Sequence, residues 1–214
     1  MTSSRDELLA QVEKYYSGRL REHGPSARGV DWNSAESQLL RFDQLLRCLE
    51  PAGRFTVNDF GCGYGELACH LARRGFDFSY VGFDVSTAML DAAKVHVGDL
   101  SNCTFTGDLE QLPVADYTVA SGLFNVKLAT SVAHWEEYMW ETIALLDANS
   151  RDAFAFNVLT AHSDADRMRA DLFYADPAKV LDHCIRTLSR HSALVHDYGL
   201  YEFTVVVRRG PLTA

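Results

Sequence analysis

Asp59, Gly61, Gly63, Gly65 and Glu66 stand together in the stretch Val57-Asn58-Asp59-Phe60-Gly61-Cys62-Gly63-Tyr64-Gly65-Glu66-Leu67, and two more acids, Asp84 and Asp108, follow apolar runs downstream. Alternating glycines let the backbone pass close beside a ligand, because no Cβ fills the space and positive φ is cheap. An apolar run from Phe55 ends in an acid, crosses the glycines and opens into a helical pattern from Glu66 to Arg74. A nucleotide-type cofactor site begins this way in a parallel α/β sheet. From Gly63 the stretch also scores as G-x-G-x-x-A ending at Ala68, which suits a dinucleotide pyrophosphate at a helix N-terminus. Carboxylates at Asp59 and Glu66 would repel a pyrophosphate, so an ammonium or sulfonium ligand fits better.

Asp84 lies 19 residues after Gly65, at the tip of a second strand pattern, where a carboxylate accepts from both hydroxyls of an unphosphorylated ribose. Asp108, in Gly107-Asp108-Leu109, stands where a carboxylate could accept from an exocyclic adenine amine while the Leu109 N–H reaches a ring nitrogen.

Periodicity supplies the elements that must position these groups. Leu8, Leu9, Val12, Tyr15 and Tyr16 recur at helical spacing; Asn33 is the expected cap of a second helix, with Glu36 three residues on, that runs to Pro51 and Gly53. Strands are expected at Phe55–Phe60, Phe78–Phe83, Cys103–Thr106, Tyr117–Ser121 and Ala153–Leu159, each but the last followed by a loop or helical pattern. Ser86 is placed to cap the helix carrying Met89, Leu90, Ala93 and Val97, while Trp135 and Tyr138 fall on a packing stripe of a later one. After a helix starting at Asp176-Pro177, the strand patterns Ala193–His196 and Leu200–Val207 are separated only by Asp197-Tyr198-Gly199, which forces a hairpin.

With 214 residues, 47% of them hydrophobic, the chain can bury one sizeable core. A formal net charge of −9 offers no global positive field for nucleic acid or anionic membranes. No apolar stretch approaches the roughly 20 residues of a membrane span, and the start has no apolar signal core, so a cytoplasmic protein is expected. Five cysteines without a Cys-x-x-Cys pair point to reduced thiols rather than a disulfide frame or a zinc site, and no metal is expected.

Asp59-Phe60-Gly61-Cys62-Gly63-Tyr64-Gly65, then Val81-Gly82-Phe83-Asp84, Gly107-Asp108-Leu109 and Ser121-Gly122-Leu123-Phe124 resemble, in order and spacing, the successive cofactor motifs of the class I S-adenosylmethionine-dependent methyltransferases. The resemblance covers about residues 55 to 127. It implies an α/β, Rossmann-like, seven-stranded and mainly parallel sheet with an antiparallel C-terminal hairpin, helices on both faces, and an N-terminal helical extension or lid. On that basis residues 1–53 form the extension and 54–214 the methyltransferase domain, one compact unit overall. The cofactor would be S-adenosyl-L-methionine, leaving as S-adenosyl-L-homocysteine. Carried over, Asp59 with the Gly61, Cys62 and Gly63 backbone holds the methionine portion, Asp84 and Val85 the ribose side, Asp108 with Leu109 the adenine, and the Gly122 carbonyl the ammonium. Arg41 is expected to pair with the cofactor carboxylate, for which the acidic pocket otherwise has no cation; a solvated helix residue is the alternative.

Methyl transfer is an in-line displacement that positioning alone can promote, with a base only where the acceptor must lose a proton. Ligands of open parallel sheets lie beyond the carboxyl ends of the strands. His162 is the candidate base there, or else an ordinary loop histidine. Trp32, Asn125, Tyr174, His196 and Tyr198 are candidate acceptor contacts, although aromatic packing within loops and hairpin explains several equally well. Leu123-Phe124-Asn125-Val126 stands where nucleic-acid amino-methylating relatives carry Asn-Pro-Pro-Tyr, and little chain is left for a large substrate cover, so a small-molecule acceptor is expected. A nicotinamide-dependent oxidoreductase and a non-catalytic cofactor-binding module are the other readings of the same residues.

Overall fold

The computed structural model describes residues 4–210. Seven strands form one sheet: β1 (Phe55–Phe60), β2 (Phe78–Phe83), β3 (Cys103–Thr106), β4 (Ala115–Ala120), β5 (Ser150–Leu159), β6 (Ser192–Val195) and β7 (Glu202–Arg208). Their order is β3-β2-β1-β4-β5-β7-β6, parallel except for β7, which runs antiparallel to both β5 and β6. The helices are α1 (Ser4–His23), α2 (Ala35–Leu45), α3 (Glu66–Arg73), α4 (Thr87–Val97), α5 (Val132–Ala148) and α6 (Pro177–Thr187).

Side chains alternate across the sheet and fill two cores. Phe154 and Phe156 of β5 pack with Trp135, Met139 and Ile143 of α5 and Val180 of α6, while Ala153 and Ala155 face the side of Phe42 and Leu45 of α2 and Leu67 and Leu71 of α3. Leu8 of α1 belongs to the first cluster, which anchors this helix against the domain.

Several boundaries differ from the sequence expectation. α2 is capped by Ser34 rather than Asn33: Ser34 Oγ accepts from Ser37 N at 3.1 Å and Ser37 Oγ accepts from Ser34 N at 3.3 Å, a reciprocal box that Asn33 does not enter. β4 begins at Ala115, two residues early, because the strand-disfavoured Asp116 is stabilised there by the Thr56 N–H, 2.7 Å from its carboxylate. In the hairpin β6 ends at Val195 and β7 starts at Glu202, so the turn is longer than three residues. The five cysteines are free thiols; Cys48, Cys62 and Cys184 are buried, and Cys69 and Cys103 are half-buried. No described helix is long and apolar enough to cross a membrane.

Candidate active site

β1 lies between β2 and β4, the point where the strand order reverses and a crevice opens beyond the strand ends. Register pairs Asp59 with Gly82 and with Val119, and Phe83 with Thr106, so the segments after β1, β2, β3 and β4 surround one space. That space is a cavity of about 430 Å³, within the range of small-molecule sites.

The glycine loop forms its floor. Gly61 N and Cys62 N both donate to Phe83 O, at 2.8 and 2.9 Å, which pins the loop to the end of β2. Gly65 caps α3 at φ 81°, where a Cβ would also lie 2.8 Å from Val97 Cγ2, so both backbone angle and packing demand glycine. Asp84 Oδ2 accepts from Gly63 N and Asp84 Oδ1 from Ser86 N, both at 2.9 Å. A carboxylate has further lone pairs, and those of Asp84 remain for ligand hydroxyls. Burial pushes its carboxyl up to about 6, against the two N–H donors and with the Glu13 charge adding to the rise. Asp59 is driven up to about 7 by burial, opposed by the Tyr80 hydroxyl, which donates at 2.7 Å, and reinforced by the Asp84 charge. A buried carboxyl, Asp59, and a half-buried one, Asp84, resist ionising here, and a cationic ligand would offset that cost.

Gly61, Cys62, Gly63, Asp84, Val85, Leu109 and Gly122 all line the cavity, as does Asp59. The Cys62 thiol is buried and pushed well above its ordinary range, which marks it as packing rather than a nucleophile. Gly122, at φ 70°, turns the chain after β4, and its carbonyl accepts from Asn125 N at 3.3 Å. Trp32 also reaches the cavity wall.

Other expected residues lie elsewhere. Arg41 is not on the cavity wall: its Nε is 2.7 Å from Glu202 Oε1, and its guanidinium covers the Trp32 ring at 3.9 Å, so it already has a carboxylate. Asp108 is exposed and turned into its own loop, accepting from Glu110 N and Gln111 Nε2 at 3.0 Å each in an Asx-type cap; it does not line the cavity, whereas Leu109 does. Glu66 pairs with Arg73 at 2.5 Å and His96 at 2.6 Å and points away, leaving Asp59 and Asp84 as the acid pair. His162 and His196 are both exposed and pack loosely on each other, ring centroids 6.3 Å apart, outside the cavity. Tyr198 bonds Thr204 Oγ1 at 3.1 Å, Tyr174 accepts from Arg169 N at 2.9 Å, and Asn125 is buried in the turn after Gly122; none of the three lines the cavity.

The cover comes from α1, within the expected helical extension or lid, through residues that the sequence did not single out for the site. Leu9, Val12, Glu13 and Tyr16 face the cavity opposite the glycine loop, and Tyr138 of α5 joins them instead of serving the core alone. Burial raises the phenols of Tyr16 and Tyr138, the latter to about 12, so both stay protonated. A hydroxyl chain ties this cover to the floor: Ser17 Oγ donates to Glu13 Oε1 at 2.7 Å and lies 2.8 Å from Ser86 Oγ, the cap of α4. The available signal was a glutamate at position 13 inside the apolar stripe Leu9-Val12-Tyr16.

Residues 57–149 match the family described as a methyltransferase domain. Over 164 residues, 77% of this chain and 99% of the relative, the sequence is 46% identical to Rv1506c of Mycobacterium tuberculosis, provisionally named a methyltransferase. A shorter segment of 69 residues, 32% of this chain and 20% of the relative, is 38% identical to the mitochondrial ubiquinone biosynthesis O-methyltransferase of Candida albicans. Among solved structures, DhpI in complex with S-adenosylhomocysteine matches with a TM-score of 0.62 at 17% identity, covering 95% of this chain and 98% of that one. Human N-acetylserotonin methyltransferase with bound S-adenosylmethionine matches at 0.61 and 15% identity, covering 97% and 60%. These structural matches establish a shared fold.

Proposed function

The chain belongs to the class I S-adenosylmethionine-dependent methyltransferases, and we propose that it methylates a small-molecule acceptor inside the cavity closed by α1. The observation that carries this reading is the cover itself: Leu9, Val12 and Tyr16 lie over the acidic glycine floor and leave about 430 Å³ between them. A roofed chamber of that size suits a metabolite, and the net charge of −9 disfavours nucleic acid. A cytoplasmic location agrees with that class of substrate.

The residues present fit the cofactor. Asp84, pre-ordered by two backbone donors, would accept from the ribose hydroxyls; Asp59 and the Gly61–Gly63 backbone would hold the methionine portion; Leu109 would pack on the adenine. When bound, S-adenosylmethionine would supply an activated methyl group for an acceptor lone pair, leaving as S-adenosylhomocysteine. The protein's share is to orient the acceptor and keep water out, through the apolar faces of Leu9, Val12, Leu123 and Tyr138. His162, exposed and away from the cavity, is not given the proton in this scheme. The test is incubation of the protein with methyl-labelled S-adenosylmethionine and a cell extract, separated by size. Label in a metabolite fraction supports the reading, and label confined to nucleic acid or protein refutes it.

A further inference from the structure

Arg41 of α2 and Glu202 of β7 are 6% and 0% exposed, and neither touches the cavity. Besides the Nε–Oε1 approach of 2.7 Å, Arg41 Nη1 donates to Ser37 O at 2.8 Å, so the guanidinium is fixed in plane. Its Cζ lies over the Trp32 ring, 3.9 Å from the centroid. Trp32 in turn meets Gly122, where an added Cβ would fall 2.3 Å from Trp32 Cζ2. Gly122 N donates to Asn157 Oδ1 at 2.6 Å, and Asn157 Nδ2 donates to Glu202 Oε1 at 3.4 Å. The contacts close a ring from Trp32 through Arg41, Glu202, Asn157 and Gly122 back to Trp32. Only Trp32 and Gly122 of this ring face the cavity.

A buried ion pair is a poor stabiliser, since desolvating both charges offsets most of their attraction. Its use here lies in what it holds. We infer that Arg41 and Glu202 are positioning residues which clamp Trp32 against Gly122 and so fix one wall of the cofactor-and-acceptor chamber. The inference rests on the reading of that cavity as the S-adenosylmethionine site. It needs a guanidinium: lysine would keep a charge but not the broad, weakly hydrated cation that lies over the indole while pairing with Glu202 and Ser37 O. Glycine at 122 is required by the same clamp, because any side chain there would displace the ring.

The test has two readouts, acrylamide quenching of Trp32 fluorescence and calorimetric affinity for S-adenosylhomocysteine. Both are measured in a Trp140→Phe background, since Trp135 is buried and silent to the quencher. Glu202→Gln alone strands a buried cation, so the informative variant is Arg41→Leu with Glu202→Gln, in which both charges go and the volume is nearly kept. The double variant is expected to fold, to expose Trp32 to quencher, and to bind S-adenosylhomocysteine about ten-fold more weakly, the scale of a lost desolvated cation–aromatic contact. Arg41→Lys, which retains the pairing charge, should show the same two changes and decides the matter if the double variant does not fold. Unchanged quenching, or exposed Trp32 with unchanged affinity, would overturn the clamp. Failure of the reference protein itself to bind S-adenosylhomocysteine would instead overturn the site reading, while quenching would still report on Trp32.

Discussion

The floor of the cavity and its cover are built by different kinds of contact. The floor, from Asp59 to Gly122, consists of short segments at the ends of successive strands, and neighbouring strands bring them together in register. Gly61 N, Cys62 N and Gly63 N find their partners within this local frame, at the end of β2 and on Asp84. The cover consists of α1, Trp32 and Tyr138, which meet the floor through packing and through the Ser17–Ser86 contact, 69 residues apart in sequence. One half is therefore set by motif and topology, the other by surfaces that only the folded molecule brings together.

Breaking the floor should cost most. Gly65→Val places a branched side chain at φ 81° and against Val97, and the expected loss is about 2–4 kcal/mol of unfolding free energy, from backbone strain and overpacking together, measured by denaturant titration. An unchanged midpoint would mean that the loop does not need its left-handed residue.

The charge of the floor ranks second. Asp59 and Asp84 rise from an ordinary 3.8 to about 7 and about 6, so the cofactor-free fold holds more protons than the unfolded chain between those limits. Stability gained from them is full below pH 3.8 and falls as pH rises to about 7. Affinity for the cationic cofactor runs the other way, strengthening up to about pH 7 as the carboxyls ionise, with protons released on binding. Calorimetry in buffers of different ionisation enthalpy reads this directly, and proton uptake would contradict it.

The link between the halves is weaker. Ser17→Ala removes one half-buried hydroxyl contact between α1 and the α4 cap, and should lower stability by about 0.5–1.5 kcal/mol, seen as a modest fall in Tm. The smallest effect is expected at Asp108, whose side chain serves its own turn: Asp108→Asn should change S-adenosylmethionine affinity by less than about three-fold, under 1 kcal/mol. A large loss there would return Asp108 to the adenine site.

The same contrast explains what was legible in the sequence. The seven strands, the caps at Ser86 and Asp176 and the convergence of the glycine loop, Asp59 and Asp84 on one cavity were readable because each depends on local patterns of apolar period, glycine and strand-end acid. The partners of Arg41, Asp108 and Glu66 were not legible for one reason: a charge pattern shows that an ion needs a partner, not which partner it finds. Glu202 lies 161 residues from Arg41 and nothing near either announces the other. A helical extension was legible, but not which of its residues cover the cavity, because an amphipathic helix looks alike whether its apolar face seals a core or a chamber. His162 and the hairpin aromatics were assigned to the rim beyond the strand ends, but that rim has room for only some of the loops rising from it, and α1 takes the remaining space over the cavity.

The proposed function requires that the acidic glycine floor beneath α1 take S-adenosylmethionine with Asp84 on its ribose. Calorimetric titration of the intact protein and of Asp84→Ala tests this most directly. The expected result is one site per chain, weakened about 10- to 100-fold in the variant, the range for a lost charge-assisted hydrogen-bonding group. No binding by the intact protein, or full affinity in Asp84→Ala, would contradict it.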